Sequence, residues 1–335
     1  MPVVGGYIPG GVIGNEQIVV TRRAFVPKMV VQIYQATPTL SAALANMQTA
    51  SGGVSSVTVP VQGQPFTTAQ AVGFDGSFNQ PGVIQGAFAL ETNLCAVVVP
   101  IPFPGMEGLI QKDAAVIPLI EARMNDAGNQ AAQYLNTQLW NNGASGTINP
   151  DGFPLMASAT LTYGNIPTGV ATNTWWQALV RAEGSVPPTR LTVLNDVTAA
   201  AKQAGGEAPN IGVMGPGTWA LLAQDFVGQE QYMITPQQSF DQSNLGARAA
   251  FTALMVMGVP IYWDLACPEG QLLLFNTRYF AAYVHDAAAF VFTGFASTLP
   301  NNQLGYVGAV VVVMQFVCAK RKTIALCTGY SSNTL

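Results

Sequence analysis

Residues 306–319, "YVGAVVVVMQFVCA", carry no charge and are dominated by valine. No other stretch constrains the chain as much, because this run must be covered from water somewhere. A bilayer span needs about 20 consecutive predominantly apolar residues. This run is shorter, contains Gln315 and stops at Lys320-Arg321-Lys322. β-Branched and aromatic residues favour pleated strand over helix, and apolar character at every position predicts a strand covered on both faces. With "TIALC" after the basic triplet, residues 306–327 read as two core strands, and 320–322 as a charged turn or exposed edge between them. Three consecutive basic residues are not expected in an interior. The opening "MPVVGGYIPGGVIGNEQ" has no basic region ahead of an apolar core, so no signal peptide is read there. A soluble protein made in a cytoplasm is expected.

Charge is the second constraint. Only 9% of residues are Asp, Glu, Lys or Arg, against roughly 25% in typical soluble domains. Lys28 is the one charge between Arg23 and Asp75, and there is none between Asp286 and Lys320. Lone monomers use surface charge for solubility, so a chain this poor in charge is expected to hide surface against other copies of itself. A net charge of −4 gives no general attraction to nucleic acid. Cys95, Cys267, Cys318 and Cys327 are far apart without CxxC spacing, which predicts reduced core thiols and neither a disulfide framework nor a zinc site.

Residues 1–38 read as an arm, with Gly, Pro and short apolar pieces and the adjacent charges Arg22 and Arg23. Such a segment cannot bury itself locally. A short helix is predicted over 38–48, capped by Thr37 or Thr39. "SSVTVPVQ" (55–62) reads as a strand with Val57, Val59 and Val61 on one face, and 86–103 as its return. Hairpin connections are usually about two to five residues, so the long Gly-, Gln- and Phe-rich stretch between them predicts an extended flap. Phe66, Phe74 and Phe78 lack a core of their own there, and a neighbouring copy would give them one.

Ile120, Met124, Ala127, Ala131 and Leu135 form one apolar stripe, which marks residues 105–142 as the clearest helical region. Its longer half is expected from Pro118 to Trp140. Residues 173–184 and 195–206 read as helices, the second capped by Asn195. Residues 210–226 read as strand, turn and helix, and "VPIYWDL" and "QLLLFNTRYFAAYVH" as strands.

Catalytic chemistry is hard to find. His285 is the one histidine, and Ser-His-Asp or Cys-His arrangements would need it as base. No GxSxG elbow accompanies it, so a structural role is expected. Gly215-Pro216-Gly217-Thr218-Trp219-Ala220 matches a loose G-x-G-x-x-A between strand and helix, where a dinucleotide fingerprint belongs. It starts late in the chain, and no following strand ends in an acid at the right distance. The acids form no convincing pair. No catalytic residue, metal site or cofactor is expected.

The order of parts resembles the major capsid proteins of tailed bacteriophages, with the Hong Kong 97-type fold. "VVVPIPFPGMEGLIQKDAAVIPLIEARMNDAGNQAAQYLNTQLWNNG" resembles the family's hairpin return and spine helix. "GNIPTGVATNTWWQALV", "NIGVMGPGTWALLAQD" and "VMGVPIYWDLACPEGQLLLFNTRYFAAYVH" resemble its axial segments and the strands leading back from them. The resemblance implies an α+β chain with an N-terminal arm (1–38) and a peripheral domain (39–149 and 281–335) that carries the extended β-hairpin loop (55–96) and the long spine helix (105–142). It also implies an axial α/β domain (150–280).

The implied function is a shell subunit in a virion, assembled in a host cytoplasm as hexamers and pentamers around double-stranded DNA that it does not read by sequence. Portal and separate scaffolding or cement proteins are implied partners, and a membrane is not. Arg22, Arg23, Phe66, Phe74 and Phe78 are the expected inter-subunit contacts, and Lys320–Lys322 would face solvent, a neighbour's acids or the DNA. Residues 55–96 contain no Lys, so the Lys-Asn isopeptide bond of some relatives is not expected. An encapsulin-like compartment shell of the same fold is the nearest alternative, and a soluble α/β enzyme using the Gly215–Gly217 turn the more distant one.

Overall fold

The computed structural model describes residues 37–63, 69–72, 74, 76, 86–104, 119–141, 143–144, 148–168, 171–226, 254–294, 296–297 and 305–333. Helix α1 (Pro38–Leu44) and strand β1 (Met47–Ala50) come first, followed by β2 (Ser56–Gln62), β3 (Ala87–Asn93) and β4 (Cys95–Pro104). The long helix α2 (Leu119–Asn141) and the single turn α3 (Phe153–Met156) lead through a 3-10 segment (Ala171–Trp176) to β5 (Leu179–Val186). Then come α4 (Arg190–Gln203), β6 (Ile211–Met214), α5 (Pro216–Phe226), β7 (Leu254–Val256), β8 (Val259–Trp263) and β9 (Gln271–Phe275). The chain closes with β10 (Phe280–His285), β11 (Val291–Phe292), β12 (Ala296–Ser297), β13 (Gly305–Cys318) and β14 (Ala325–Tyr330). Two compact units result, one of residues 35–97, 132–289 and 312–335, the other of 1–34, 98–131 and 290–311.

The larger unit is organised by a mixed six-stranded sheet in the order β5-β14-β9-β6-β8-β7. Successive strand residues face opposite sides, so the continuous apolar run in β9 serves two cores. Leu272 and Leu274 pack with Val193, Val197 and Ala200 of α4 and with Leu222 and Phe226 of α5. Leu273 and Phe275 turn to the other face and join Leu40, Leu139, Trp140 and Phe153. Phe153 holds that core together, its ring 5.3 Å from Trp140, 5.5 Å from Phe275 and 5.3 Å from Phe280.

Within the same unit β1 runs parallel to β10, from Met47↔Ala282 to Ala50↔His285, and β10 runs antiparallel to residues 314–318 of β13. In the smaller unit, β11 and β12 pair with residues 306–311 of β13, and Val99, Ile101, Ala127, Ala131 and Val310 form a separate core.

The α2 stripe is as the spacing predicts: Ala127, Ala131 and Leu135 are buried and Met124 packs partly; the Ile120 side chain lies outside the described residues. The valine-rich block is strand, but cover on both faces holds only from Met314 to Cys318; from Gly308 to Met314 burial alternates along the strand, and Tyr306 and Val307 are exposed.

Four local expectations change. Residues 173–184 are not a helix but a 3-10 turn followed by β5, because Leu179–Val186 pairs in parallel with β14 as an outer strand of the sheet. The helix expected from Asn195 begins at Arg190, capped by Thr189, whose side chain accepts from Thr192 N–H in a capping box. The return run 86–103 divides at Leu94 into β3 and β4, which belong to different sheets. Helix α1 ends at Leu44, short of Gln48, and Thr37 at its N-cap makes no side-chain cap.

Strands β2 and β3 pair antiparallel from Ser56↔Asn93 to Gln62↔Ala87. Their root is clamped. Leu90 is fully buried, Phe88 packs on Trp175 at 4.9 Å, and Glu91 N–H donates to Gly164 O at 3.2 Å. Gly63 lies so close to the Trp175 ring, and Gly164 to Leu90, that neither has room for a β-carbon.

Candidate functional site

The turn at Gly215–Gly217 stands where a phosphate-binding loop would, between β6 and the N-terminus of α5. Unpaired N–H groups at a helix start attract anions. Here the anion is the chain's own. Glu269 Oε1 accepts from Gly217 N–H at 2.9 Å, and Glu269 Oε2 accepts from Thr218 N–H at 3.0 Å and from Thr218 Oγ1 at 3.1 Å. Thr218 Oγ1 in turn accepts from Gly270 N–H at 2.8 Å. The two glycines are explained by this packing: a β-carbon on Gly215 would press on Glu269, and one on Gly217 would overlap Asn333 O. The loop is a closed structural joint with no space left for a pyrophosphate, and the dinucleotide reading fails on that ground.

A cavity of about 270 Å³ is lined by Thr189, Arg190, Leu191, Asp225 and Phe226. Small-molecule pockets run from about 300 to 1,000 Å³, and here Asp225 Oδ2 is taken up by Arg190 N–H at 2.7 Å. Neither size nor chemistry marks a ligand site. His285 Nδ1 accepts from Ala287 N–H and lies 3.2 Å from Asp286 Oδ1, closing the turn after β10. All four cysteines are buried. Burial pushes the Cys95 thiol up to about 11 and that of Cys318 to about 12, far from the thiolate that nucleophiles and metal ligands require.

Among the described residues a few charges are internal: Asp151, Asp196, Asp264 and Arg321 are buried, while the others are half-buried or exposed. Arg321, expected in an exposed turn, is 0% exposed. Its Nε donates to Met156 O at 2.7 Å, Nη2 to Leu155 O at 2.7 Å and Nη1 to Leu161 O at 3.0 Å. It thereby satisfies the free carbonyls at the end of α3, with the Tyr163 ring 5.6 Å below the guanidinium. Burial pulls its pKa down to about 10, which leaves it charged at neutral pH. Lys320 pairs with Glu207 at 2.6 Å, and only Lys322 of the triplet matches the turn expected from sequence.

Asp264, 1% exposed, accepts from Thr39 N–H and Oγ1, from Asn136 Nδ2 at 3.0 Å and from Ala266 N–H at 2.8 Å. It ties α1 and α2 to the loop after β8. Asp151, also buried, has its carboxyl pushed up to about 7 by burial. Its N–H donates to Gln315 Oε1 at 2.7 Å, while Gln315 Nε2 donates to Asn93 O at 2.8 Å, between β3 and β4.

With these charges inside, large apolar side chains stand outside. Phe74 is fully exposed, Ile148 is 87% exposed, Leu191 67% and Met257 63%. Met257 also holds a left-handed backbone (φ 50°) at the β7–β8 turn, a conformation that disfavours non-glycine residues. Of the expected contact residues Phe74 is thus seen, while Arg22, Arg23, Phe66 and Phe78 lie outside the described residues. Glu269 and Arg321 were not found in the sequence, for no local spacing links Glu269 to Gly217 or Arg321 to Leu155.

No protein-family model and no curated protein matches the chain. Solved structures do. The capsid of cyanophage A-1(L) matches with a TM-score of 0.66 at 14% identity, over 92% of this chain and 96% of that one. The fold is that of a tailed-phage capsid subunit. The same Hong Kong 97-type fold appears in the capsid of a native GTA particle, with a TM-score of 0.61 at 12% identity over 97% and 100% of the two chains. It appears as well in the SrpI encapsulin of Synechococcus elongatus, with a TM-score of 0.57 at 13% identity over 98% and 99%. The architecture expected from the order of parts is therefore present as a mixed α+β fold that matches phage capsids over nearly full length.

Proposed function

We propose that the protein is a major capsid protein that assembles with itself into an icosahedral shell around double-stranded DNA. Its role is structural. The observation that carries this reading is the near full-length fold match to a phage capsid subunit. The distribution of side chains supports it, because a chain poor in charge that leaves Phe74, Ile148, Leu191 and Met257 outside suits a surface made to be covered by further copies.

In this reading α2 is the spine helix and the sheet β5-β14-β9-β6-β8-β7 with α4 and α5 is the axial domain, which takes in β14 from the stretch expected in the peripheral domain. β2 and β3 are the root of the extended loop, whose Phe74 reaches a neighbouring subunit. Hexamers and pentamers would form from this one chain, with portal and scaffolding or cement proteins as separate partners, in a host cytoplasm. The encapsulin relationship keeps a compartment shell as the second reading.

Electron microscopy of purified protein tests the proposal: closed, uniform shells are expected, and a stable monomer under assembly conditions would overturn both shell readings. Nuclease-protected DNA inside native particles is expected for a capsid, and a protein cargo without DNA would move the assignment to a compartment.

A further inference from the structure

Strand β5 is an outer strand of the six-stranded sheet, paired on one side to β14 alone. Five polar side chains meet behind it: Arg181 and Glu183 from β5, Asp196 from α4, and Cys327 and Tyr330 from β14. Arg181 Nε lies 3.1 Å from Glu183 Oε1, and Nη1 lies 2.9 Å from Asp196 Oδ1. Tyr330 Oη donates to Asp196 Oδ2. One guanidinium therefore serves two carboxylates. Asp196 is 0% exposed, and Glu183 Oε1 and Asp196 Oδ1 are both sealed from water without a well-directed hydrogen bond.

The half-buried Glu183 and the buried Asp196 repel when both ionise, and one guanidinium shared between them leaves neither oxygen a well-directed donor. One proton resolves both problems, since it turns one carboxyl into a donor to the other. We propose that Glu183 holds a proton directed at Asp196, and that its release to solvent as the pH rises loosens β5 from the sheet.

Burial first and the Asp196 charge second push the Glu183 carboxyl up, with Arg181 acting against them. The charges acting on Glu183, Cys327 and Tyr330 come from within the cluster. The 321–323 turn also packs against α4, but Arg321 is directed to Leu155 and Met156 and Lys322 does not act on the group. Asp225 of α5 reaches α4 only at Arg190, and β7 has no charge. Loss of the proton leaves net negative charge in a buried place, and β5 yields because no further strand holds its outer side.

The test uses the full-length unassembled protein, so its outcome is separate from the capsid assignment. Thermal melting and amide exchange over residues 179–186 are followed from about pH 5 to about pH 9 for wild type and Glu183→Gln. The glutamine amide donates to Asp196 at every pH. Exchange in wild-type β5 is expected to accelerate with pH beyond the intrinsic amide rate while the variant's does not, and the Tm advantage of Glu183→Gln is expected to grow with pH. A Tm difference that does not change with pH would overturn the proposal. Should Glu183→Gln not fold, the infrared carbonyl band of a buried protonated acid decides. It is expected at neutral pH in Asp151→Asn, which removes the other raised carboxyl, and its absence would overturn the proposal.

Discussion

Gly164 and Leu90 touch so closely that a β-carbon on the glycine would overlap the Leu90 side chain. Gly164 also holds φ at 60°, and its carbonyl accepts from Glu91 N–H at 3.2 Å. The root of the β2–β3 pair is fixed by this contact. Gly164→Ala combines a left-handed residue with overpacking and should cost about 2–4 kcal/mol in urea denaturation. In a Gly164→Ala/Leu90→Ala double mutant the two costs should fall short of additivity, because the cavity left by Leu90 accepts the new methyl.

Arg321 should tolerate no replacement. Arg321→Met leaves Met156 O without the donor it has and takes one donor from Leu155 O and Leu161 O, and should destabilise by about 1–3 kcal/mol. Arg321→Lys should recover little, since a point charge cannot reproduce the planar fork. The neighbouring Lys322→Ala should lie within about 0.5 kcal/mol of wild type.

Glu269→Ala opens the start of α5 and strips Gly217 and Thr218 of their acceptor. A stability loss of about 1–2 kcal/mol is expected by denaturation. Wild type should show no thermal shift with NAD or ADP, because Glu269 occupies the position a phosphate would need; a shift would restore the nucleotide reading.

Asp151 should make stability fall with rising pH. Its folded carboxyl titrates near 7, against an ordinary value of 3.8. Below about pH 4 both states hold the proton and stability is full. Between about pH 4 and 7 the unfolded chain ionises first, so up to about 1.4 kcal/mol is lost per pH unit, and above about pH 7 the loss levels off. Asp151→Asn should flatten this slope, and an unchanged slope in pH-dependent melts would contradict the assignment.

Phe74→Ser separates folding from assembly. Phe74 is fully exposed, so subunit stability should change by less than about 0.5 kcal/mol. Particle yield by electron microscopy should nevertheless fall sharply, if the residue is covered by a neighbour. Unchanged yield would remove Phe74 from the contact set.

Periodicity made part of this protein legible in advance. The α2 stripe, the valine-rich β13, the alternation of Val57, Val59 and Val61, and the strand-turn-helix at Gly215 all follow from local patterns, because burial repeats with the period of the element. Local pattern failed where backbone and tertiary demands overrode it. Trp175 and Trp176 read as helix, yet they serve the core beside β5, and Gly184-Ser185 turn the backbone left-handed. Strand β1 escaped notice because it is short and exposed, and only its parallel partner β10 makes it a strand.

Composition and local period make a mixture of helices and strands and a low content of charge legible in the sequence, because both act over a few residues at a time. Only the tertiary structure decided which charges are surface charges. Arg321 looks solvated beside Lys320 and Lys322, and Glu269 looks like any acid in a turn. Each is held by groups distant in sequence, Leu155 and Met156 for one and Gly217 and Thr218 for the other. For Arg321 the cost of leaving those carbonyls unpaired in the interior draws the charge inside, while Glu269 stays at the surface and caps the amides from there.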